Sequence, residues 1–361
     1  MMNKKKLSSL QFACLVCFPI LSLYSGIGAY NLTKITGVDS YLSILVAYVL
    51  GISLYLLFKI IFFYKEDLNI LDKNKYLFGD TLGNIINIIM NLLILFIGVI
   101  LLYNISNFAI SQFLDQTPIL IFMIMIGIIL VYNVSKGILN IARVAVIFLI
   151  LVFLLTLFGS VGLLPHFQSD YLKPFLEFGV GRAVHGGIEI ALMNILPNFL
   201  LLIVPRNKIQ NDQHLGRKMF LFYTFAFLLI FVVNILTMGT LGIYLVRLYQ
   251  YPEYTVLQKI SLFDFIDRIE NFIYIKWILT SVICLSLVLY HVGKLFSKIK
   301  IEIRSTVLMI VMIVIALNIF KNNTYFYMIS YSIFPYVCLG LLFIYLIIGV
   351  NVLVRKILEA K

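Results

Sequence analysis

Within the first apolar run of the chain, "LYSGIGAYNL" at 23–32, the residues Tyr24, Ser25, Gly26, Ile27 and Gly28 interrupt what would otherwise be a uniform hydrophobic helix. Glycine lets a chain leave helical geometry and lets a ligand approach the backbone closely. An unwound turn frees amide N–H groups at a new half-helix N-terminus, where a carboxylate is favoured. It also frees carbonyl oxygens that can hold a cation or an ammonium. A second interruption opens a later run, "VHGGIEIALMNILPNF" at 184–199, with Gly186, Gly187, Glu189, Asn194 and Pro197. Between the two lies "YNISNF", whose Tyr103, Asn104 and Asn107 can line a pocket or bond across helices. The glycines have two readings: breaks that build a binding site, or close-packing points between membrane helices. Glu189 divides in the same way. A carboxylate within a span is expensive and faces a cavity or a partner, as a proton or cation carrier or the countercharge of an amine. Near the outer surface it would simply be wet.

Other chemistries find little footing. The chain carries no Walker A loop, HExxH pair or GxSxG elbow. His166, His185, His214 and His291 are scattered, and Cys14, Cys17, Cys284 and Cys338 all lie in apolar runs, where they read as small buried hydrophobes. We therefore expect no enzyme, no metal site and no cofactor.

The elements that must position these residues follow from composition. Hydrophobic residues make up 62% of the chain and charged residues 12%, with a mean hydropathy of +1.04. Soluble domains carry about twice that charge, so lipid must be the main solvent. The expectation is an all-α polytopic membrane protein, one domain over 1–361. Ten stretches approach the roughly 20 apolar residues a crossing needs: 10–33, 40–63, 81–112, 117–133, 138–163, 184–204, 218–247, 270–293, 305–320 and 326–354. With the N-terminus cytoplasmic, most of the 28 Lys and Arg fall on the inner side. Both termini are then cytoplasmic, and the net charge of +12 needs no nucleic acid. The spans divide five and five, at 1–163 and 184–354. Since five is odd, the second set lies inverted, the arrangement of secondary transporters whose midplane sites use discontinuous helices. Spans 1 and 6 are the ones expected to be discontinuous. In the connection 249–278, the spacing from Val256 to Asp267 suits a helix lying on the outer surface, Trp277 an interfacial anchor, and Lys276 a side chain that snorkels outward.

Three stretches give the chain a resemblance. The first is the glycine break ahead of "TKITGVDSYLS" at 33–43. The second is "KPFLEFGVGRAVHGG" at 173–187, leading to "PNFLLLIVP" at 197–205. The third is "YPEYTVLQKI" at 251–260 with "FIDRIENFIYIKW" at 265–277, where Pro252, Ile260, Phe265, Arg268, Glu270 and Trp277 stand at pattern positions. Over nearly its full length the chain resembles the spore germination permeases, the B subunits of GerA-type nutrient germinant receptors in the amino acid–polyamine–organocation superfamily. The resemblance implies a leucine-transporter-like fold and a pocket between spans 1, 3, 6 and 8. Tyr24, Ser25, Gly26, Ile27 and Gly28 would touch the ligand from span 1, and Gly186, Gly187 and Glu189 from span 6. It also implies an A-type and a lipoprotein C-type partner in the inner membrane of the spore. The function implied is sensing of a nutrient, an amino acid being the expected class, coupled to ion release. An ordinary amino-acid transporter driven by H⁺ or Na⁺ is the alternative.

Overall fold

In hydrocarbon a backbone must satisfy its own hydrogen bonds, which helices do within a single segment. The computed structural model describes residues 6–260 and 270–359, except the side chains of 272–274. Its described residues are helical apart from turns and one isolated bridge between Leu7 and Ile209. Helices α1 (Ser9–Cys14) and α2 (Cys17–Leu23) lead through an irregular turn at Tyr24–Gly28 into α3 (Ala29–Thr36). The chain reverses at Gly37 (φ 61°, ψ −129°) into α4 (Ser40–Phe62), followed by α5 (Ile70–Gln112), α6 (Ile119–Ser135) and α7 (Ile138–Leu163). Next come α8 (Gly179–Ile190), continued by irregular turns over Ala191–Ile195 and Leu196–Ile203, then α9 (Leu215–Leu248) and the short α10 (Pro252–Thr255). The chain closes with α11 (Glu270–Gly293), α12 (Ile301–Ile319), α13 (Asn323–Ser332) and α14 (Phe334–Glu359).

Among the described residues, eight helical stretches are long and apolar enough to cross a membrane, and α6 is a shorter apolar helix. The molecule is an integral membrane protein. Exposed side chains on its outer helices are themselves apolar and recur at helical spacing: Ile147, Ile150, Leu154 and Phe158 on α7, and Ile303, Val307, Ile310 and Val314 on α12. Such stripes face lipid. Inside, α11 packs against α2, α5 and α7, and α4 packs against α8 and α9.

Two further glycines turn the chain, Gly79 just ahead of the apolar run of α5 and Gly242 within that of α9. Gly79 (φ 79°, ψ 171°) folds the start of α5 back on the rest, and Asn87 Nδ2 donates to Leu71 O at 3.0 Å across the fold. Lys73 on that arm donates to Ile61 O (2.8 Å) and Phe62 O (3.0 Å), satisfying carbonyls that the end of α4 leaves open. Gly242 (φ 71°, ψ 163°) turns the end of α9 in the same manner. The surface helix expected over Val256–Asp267 is different in its described part: Val256 and Leu257 are buried in a single turn after α10, and residues 261–267 lie outside the described residues. Arg268 lies outside them too, and Glu270 is buried.

Candidate functional site

At the first interruption Ser25 (φ −67°, ψ 125°) and Gly26 (φ 75°, ψ −40°) leave helical geometry. Only glycine holds the latter conformation without strain. Two backbone groups freed by the break find partners from elsewhere in the chain. The Gly26 N–H donates to Glu253 Oε1 of α10 at 2.6 Å. Ser25 O accepts from Asn104 Nδ2 of α5 at 3.1 Å, and the Ser25 hydroxyl donates back to Leu21 O at 3.3 Å. Tyr24 is buried, and its hydroxyl accepts from Asn234 Nδ2 of α9 at 2.9 Å. Trp277 of α11 lies so close that a Cβ on Gly26 would sit 2.6 Å from its Cη2.

Beside the break is a cavity of about 40 Å³, walled in part by Tyr24, Ser25, Thr156, Glu253, Lys276 and Thr280. That is room for a water or a few. Glu253 is 9% exposed, and burial pushes its carboxyl up to about 7, against the pull of its backbone hydrogen bonds. Its second oxygen, Oε2, has no hydrogen-bond partner among the described residues. Above the break, Asn107 Nδ2 donates to the Tyr251 hydroxyl (2.9 Å), and Tyr251 packs edge-on against Trp277. Gln250 donates to the same hydroxyl (3.2 Å) and to that of Tyr327 (2.8 Å). Tyr30 packs on Tyr327 with ring centroids 4.4 Å apart. Outside this aromatic layer, toward the end opposite the termini, an open vestibule of about 650 Å³ is lined by Tyr30, Lys34, Arg247, Gln250, Tyr327 and Tyr331.

The second interruption is built differently. Gly186 and Gly187, expected to unwind, lie inside the regular helix α8. A Cβ on Gly186 would meet Thr36 Cγ2 at 2.4 Å, and one on Gly187 would meet Val46 Cγ1 at 2.5 Å. These glycines let α8 approach α3 and α4 closely. Helical geometry changes further along: a wide turn over Ala191–Ile195 gives way to a tight one over Leu196–Ile203, where Pro197 has no N–H to give. Asn194 bridges the two interruptions: its Nδ2 donates to Ile20 O (3.1 Å), and its Oδ1 would lie 3.2 Å from a Cβ on Gly28. His291 Nδ1 stands 3.0 Å from Leu200 O in the tight turn.

Of the residues singled out from sequence, the structure gathers Tyr24, Ser25, Gly26 and Asn104 directly, with Ile27 buried beside them. Gly28 and Asn194 join from below and Asn107 through Tyr251. Tyr103 instead packs on Phe320 and Phe326. Glu189 pairs with His185 one helical turn away, Oε1 to Nε2 being 3.6 Å, and its Oε2 has no hydrogen-bond partner among the described residues. Sequence reading missed Glu253, and it placed Lys276 and Trp277 at the membrane surface. Trp277 is buried against the break, and Lys276 lines the cavity.

Known proteins resemble this chain in fold and in sequence. Among solved structures, the chain is similar to Mhp1, a nucleobase-cation-symport-1 family transporter in a closed conformation with bromovinylhydantoin bound. The TM-score is 0.64 at 12% identity, covering 97% of this chain and 78% of the other. At that identity the likeness shows the fold. In sequence, the chain is 24% identical over 260 residues to spore germination protein XB of Bacillus anthracis, which spans 68% of this chain and 69% of the relative. The family described as spore germination protein matches residues 3–327. A match over nearly the whole length places the chain in that family, and it is a permease of the spore germination protein family.

Proposed function

We propose that the chain binds a small nutrient, an amino acid first among the classes, at the broken first helix, and converts binding into a germination signal. One observation carries the reading: a buried backbone N–H in the middle of the broken first helix, at Gly26, is held by a carboxylate from α10. A half-helix N-terminus is a ready site for a carboxylate, and the aromatic layer between it and the vestibule is placed to open for entry. In this reading ten crossings form two inverted sets of five, the termini are cytoplasmic, and the protein sits in the inner membrane of the spore. It works there with A-type and lipoprotein C-type subunits, which carry the signal to ion release. Tyr24, Ser25, Gly26, Ile27, Gly28, Asn104, Asn107 and Asn194 form the pocket, and Glu189 with Gly186 and Gly187 sets the position of the sixth span.

The test is germination of spores lacking the protein across a panel of amino acids, sugars and nucleosides, with and without the restored gene. The response to at least one amino acid should vanish and return. The transporter fold keeps a second reading open, uptake of an amino acid with H⁺ or Na⁺. Proteoliposomes holding the purified chain decide between them: concentrative uptake of labelled amino acid under an imposed gradient supports transport, and binding without uptake supports the receptor.

A further inference from the structure

We infer that Glu253 is a tethered stand-in for the ligand's own carboxylate, so that the site fills by exchange. A small molecule bearing a carboxylate takes the Gly26 N–H, and Glu253 leaves it. The inference rests on the reading that the break at Gly26 is the ligand site, and it deepens that reading by naming the ligand class and the group the ligand must expel.

Four features lead to it. The Gly26–Glu253 hydrogen bond, at 2.6 Å, occupies the donor that a half-helix N-terminus would offer an anionic ligand. The adjoining cavity, about 40 Å³, has room for a water or a few and not for a nutrient. A nutrient therefore fits only if a side chain moves, and Glu253 is the wall group already seated on the donor. Its Oε2 is buried with no hydrogen-bond partner among the described residues, so the seat satisfies only one of the two oxygens, and departure forfeits the single bond to Gly26. Finally, Glu253 has somewhere to go. It sits on the short α10, three residues after Gln250, which lines the open vestibule.

Charge gives the exchange its selectivity. Adding a second carboxylate beside a buried one is costly, because each must be desolvated and the two repel. Replacing one carboxylate by another keeps the site's charge constant, with Lys276 in the same cavity wall as countercharge in both states. A neutral nutrient, such as a sugar or a nucleoside, would displace Glu253 without supplying the anion that the Gly26 N–H and Lys276 require. Exchange also gives binding a mechanical output. Release of Glu253 frees α10 and the turn Val256–Lys259, whose Val256, Leu257 and following Ile260 pack on Val38, Leu163 and Leu236.

The experiment uses the full-length protein in lipid nanodiscs and its single tryptophan, Trp277, which touches the break. Acetate and L-alanine are titrated against their amides, acetamide and L-alaninamide, while Trp277 emission is followed. In the wild type the carboxylates should shift emission saturably and the amides should not. In Glu253→Ala, freed of the competitor, the apparent affinity for acetate should tighten roughly tenfold or more, as expected for removal of a charge-assisted hydrogen bond. Glu253→Gln, which can still accept from Gly26 but without charge, should fall between the two. Equal or weaker binding of carboxylates in both variants overturns the inference, as does a response to the amides alone or to nothing. Should Glu253→Ala fail to fold, the wild-type and Gln titrations decide alone. A separate arm tests the underlying reading: if Gly26→Ala binds acetate as the parent does, the break is not the seat at all.

Discussion

The two interruptions of this membrane bundle use different means to leave helical geometry, and the contrast separates a break that frees a backbone donor from a change of helical pitch between packed helices. At Gly26 the backbone turns into a region closed to other residues (φ 75°), and its N–H is handed to a side chain from 227 positions away in sequence. Over Ala191–Ile203 no residue takes a positive φ. The helix widens, then tightens behind Pro197, and its Leu200 carbonyl stands 3.0 Å from His291 Nδ1 in the bundle interior. The first break offers a donor. The second supplies Asn194, which seals the first break's Ile20 carbonyl and borders Gly28.

Substitutions that add one methyl to each glycine sharpen this contrast most. Gly26→Ala forces an L-residue into the left-handed region, which costs about 1–2 kcal/mol, and drives a Cβ against Trp277, 2.6 Å away. We expect the nutrient response of spores to drop by about tenfold or more, with protein still in the membrane. Gly187→Ala meets Val46 at 2.5 Å in an ordinary helical conformation. That is overpacking, typically about 1–3 kcal/mol. Membrane levels, read by immunoblot, should fall while the half-maximal nutrient concentration of what remains holds steady. If instead the Gly187 variant accumulates normally and shifts that concentration, α8 belongs to the binding feature after all.

Asn194→Ala comes next. It removes one of two donors to the buried Ile20 carbonyl, which still accepts from the Tyr24 N–H, a loss of roughly 0.5–1.5 kcal/mol, and thermal unfolding in detergent should register it. A smaller effect is expected from Glu189→Gln. Its pairing with His185 is long (3.6 Å) and its partner is 61% exposed to solvent, and a pair with a solvated partner contributes about 0–1 kcal/mol. The dose–response curve should move less than it does for Glu253→Gln. A larger shift would make Glu189 the more important carboxylate.

What the sequence disclosed, and what it did not, follows from the range of the interactions. Apolar helices were legible because lipid imposes apolar runs locally, though eight and not ten are long and apolar enough to cross among the described residues, and the Gly26 break because glycine, serine and tyrosine are unusual filling for such a run. Gly186 and Gly187 misled because glycine marks both an unwound turn and a close helix contact, and the backbone angle that tells them apart is absent from a sequence. Glu253 was invisible for the opposite reason. In "YPEYT" it reads as an acid in a wet loop, and the partner that makes it functional sits in the first helix. Trp277 looked interfacial because hydropathy locates the end of a span and says nothing of what folds over it.

The smallest predicted effect concerns how the two broken helices are tied together at the end that holds the termini. Leu7, ahead of the first helix, pairs with the segment after the second break: its N–H donates to Lys208 O (3.0 Å), and Gln210 N–H donates to its carbonyl (2.8 Å). Asp212 fastens the same junction. It accepts from Lys218 (2.6 Å), from the Ser9 hydroxyl (2.5 Å) and from the His214 N–H (2.8 Å). The Lys218 bond first, then those of Ser9 and His214, hold its carboxyl well below the usual carboxylate range. A carboxyl depressed in the folded state contributes stability that is fully present above its unfolded value, about 3.9, and is lost as pH falls toward the lower folded one. Asp212→Asn should therefore lower the unfolding temperature modestly at pH 7, and the gap from wild type should close as the buffer is taken below pH 4. A gap that stays constant with pH would mean that Asp212 acts through packing and not through charge. The junction would then join the two breaks as the glycines of α8 join their neighbours, by shape alone.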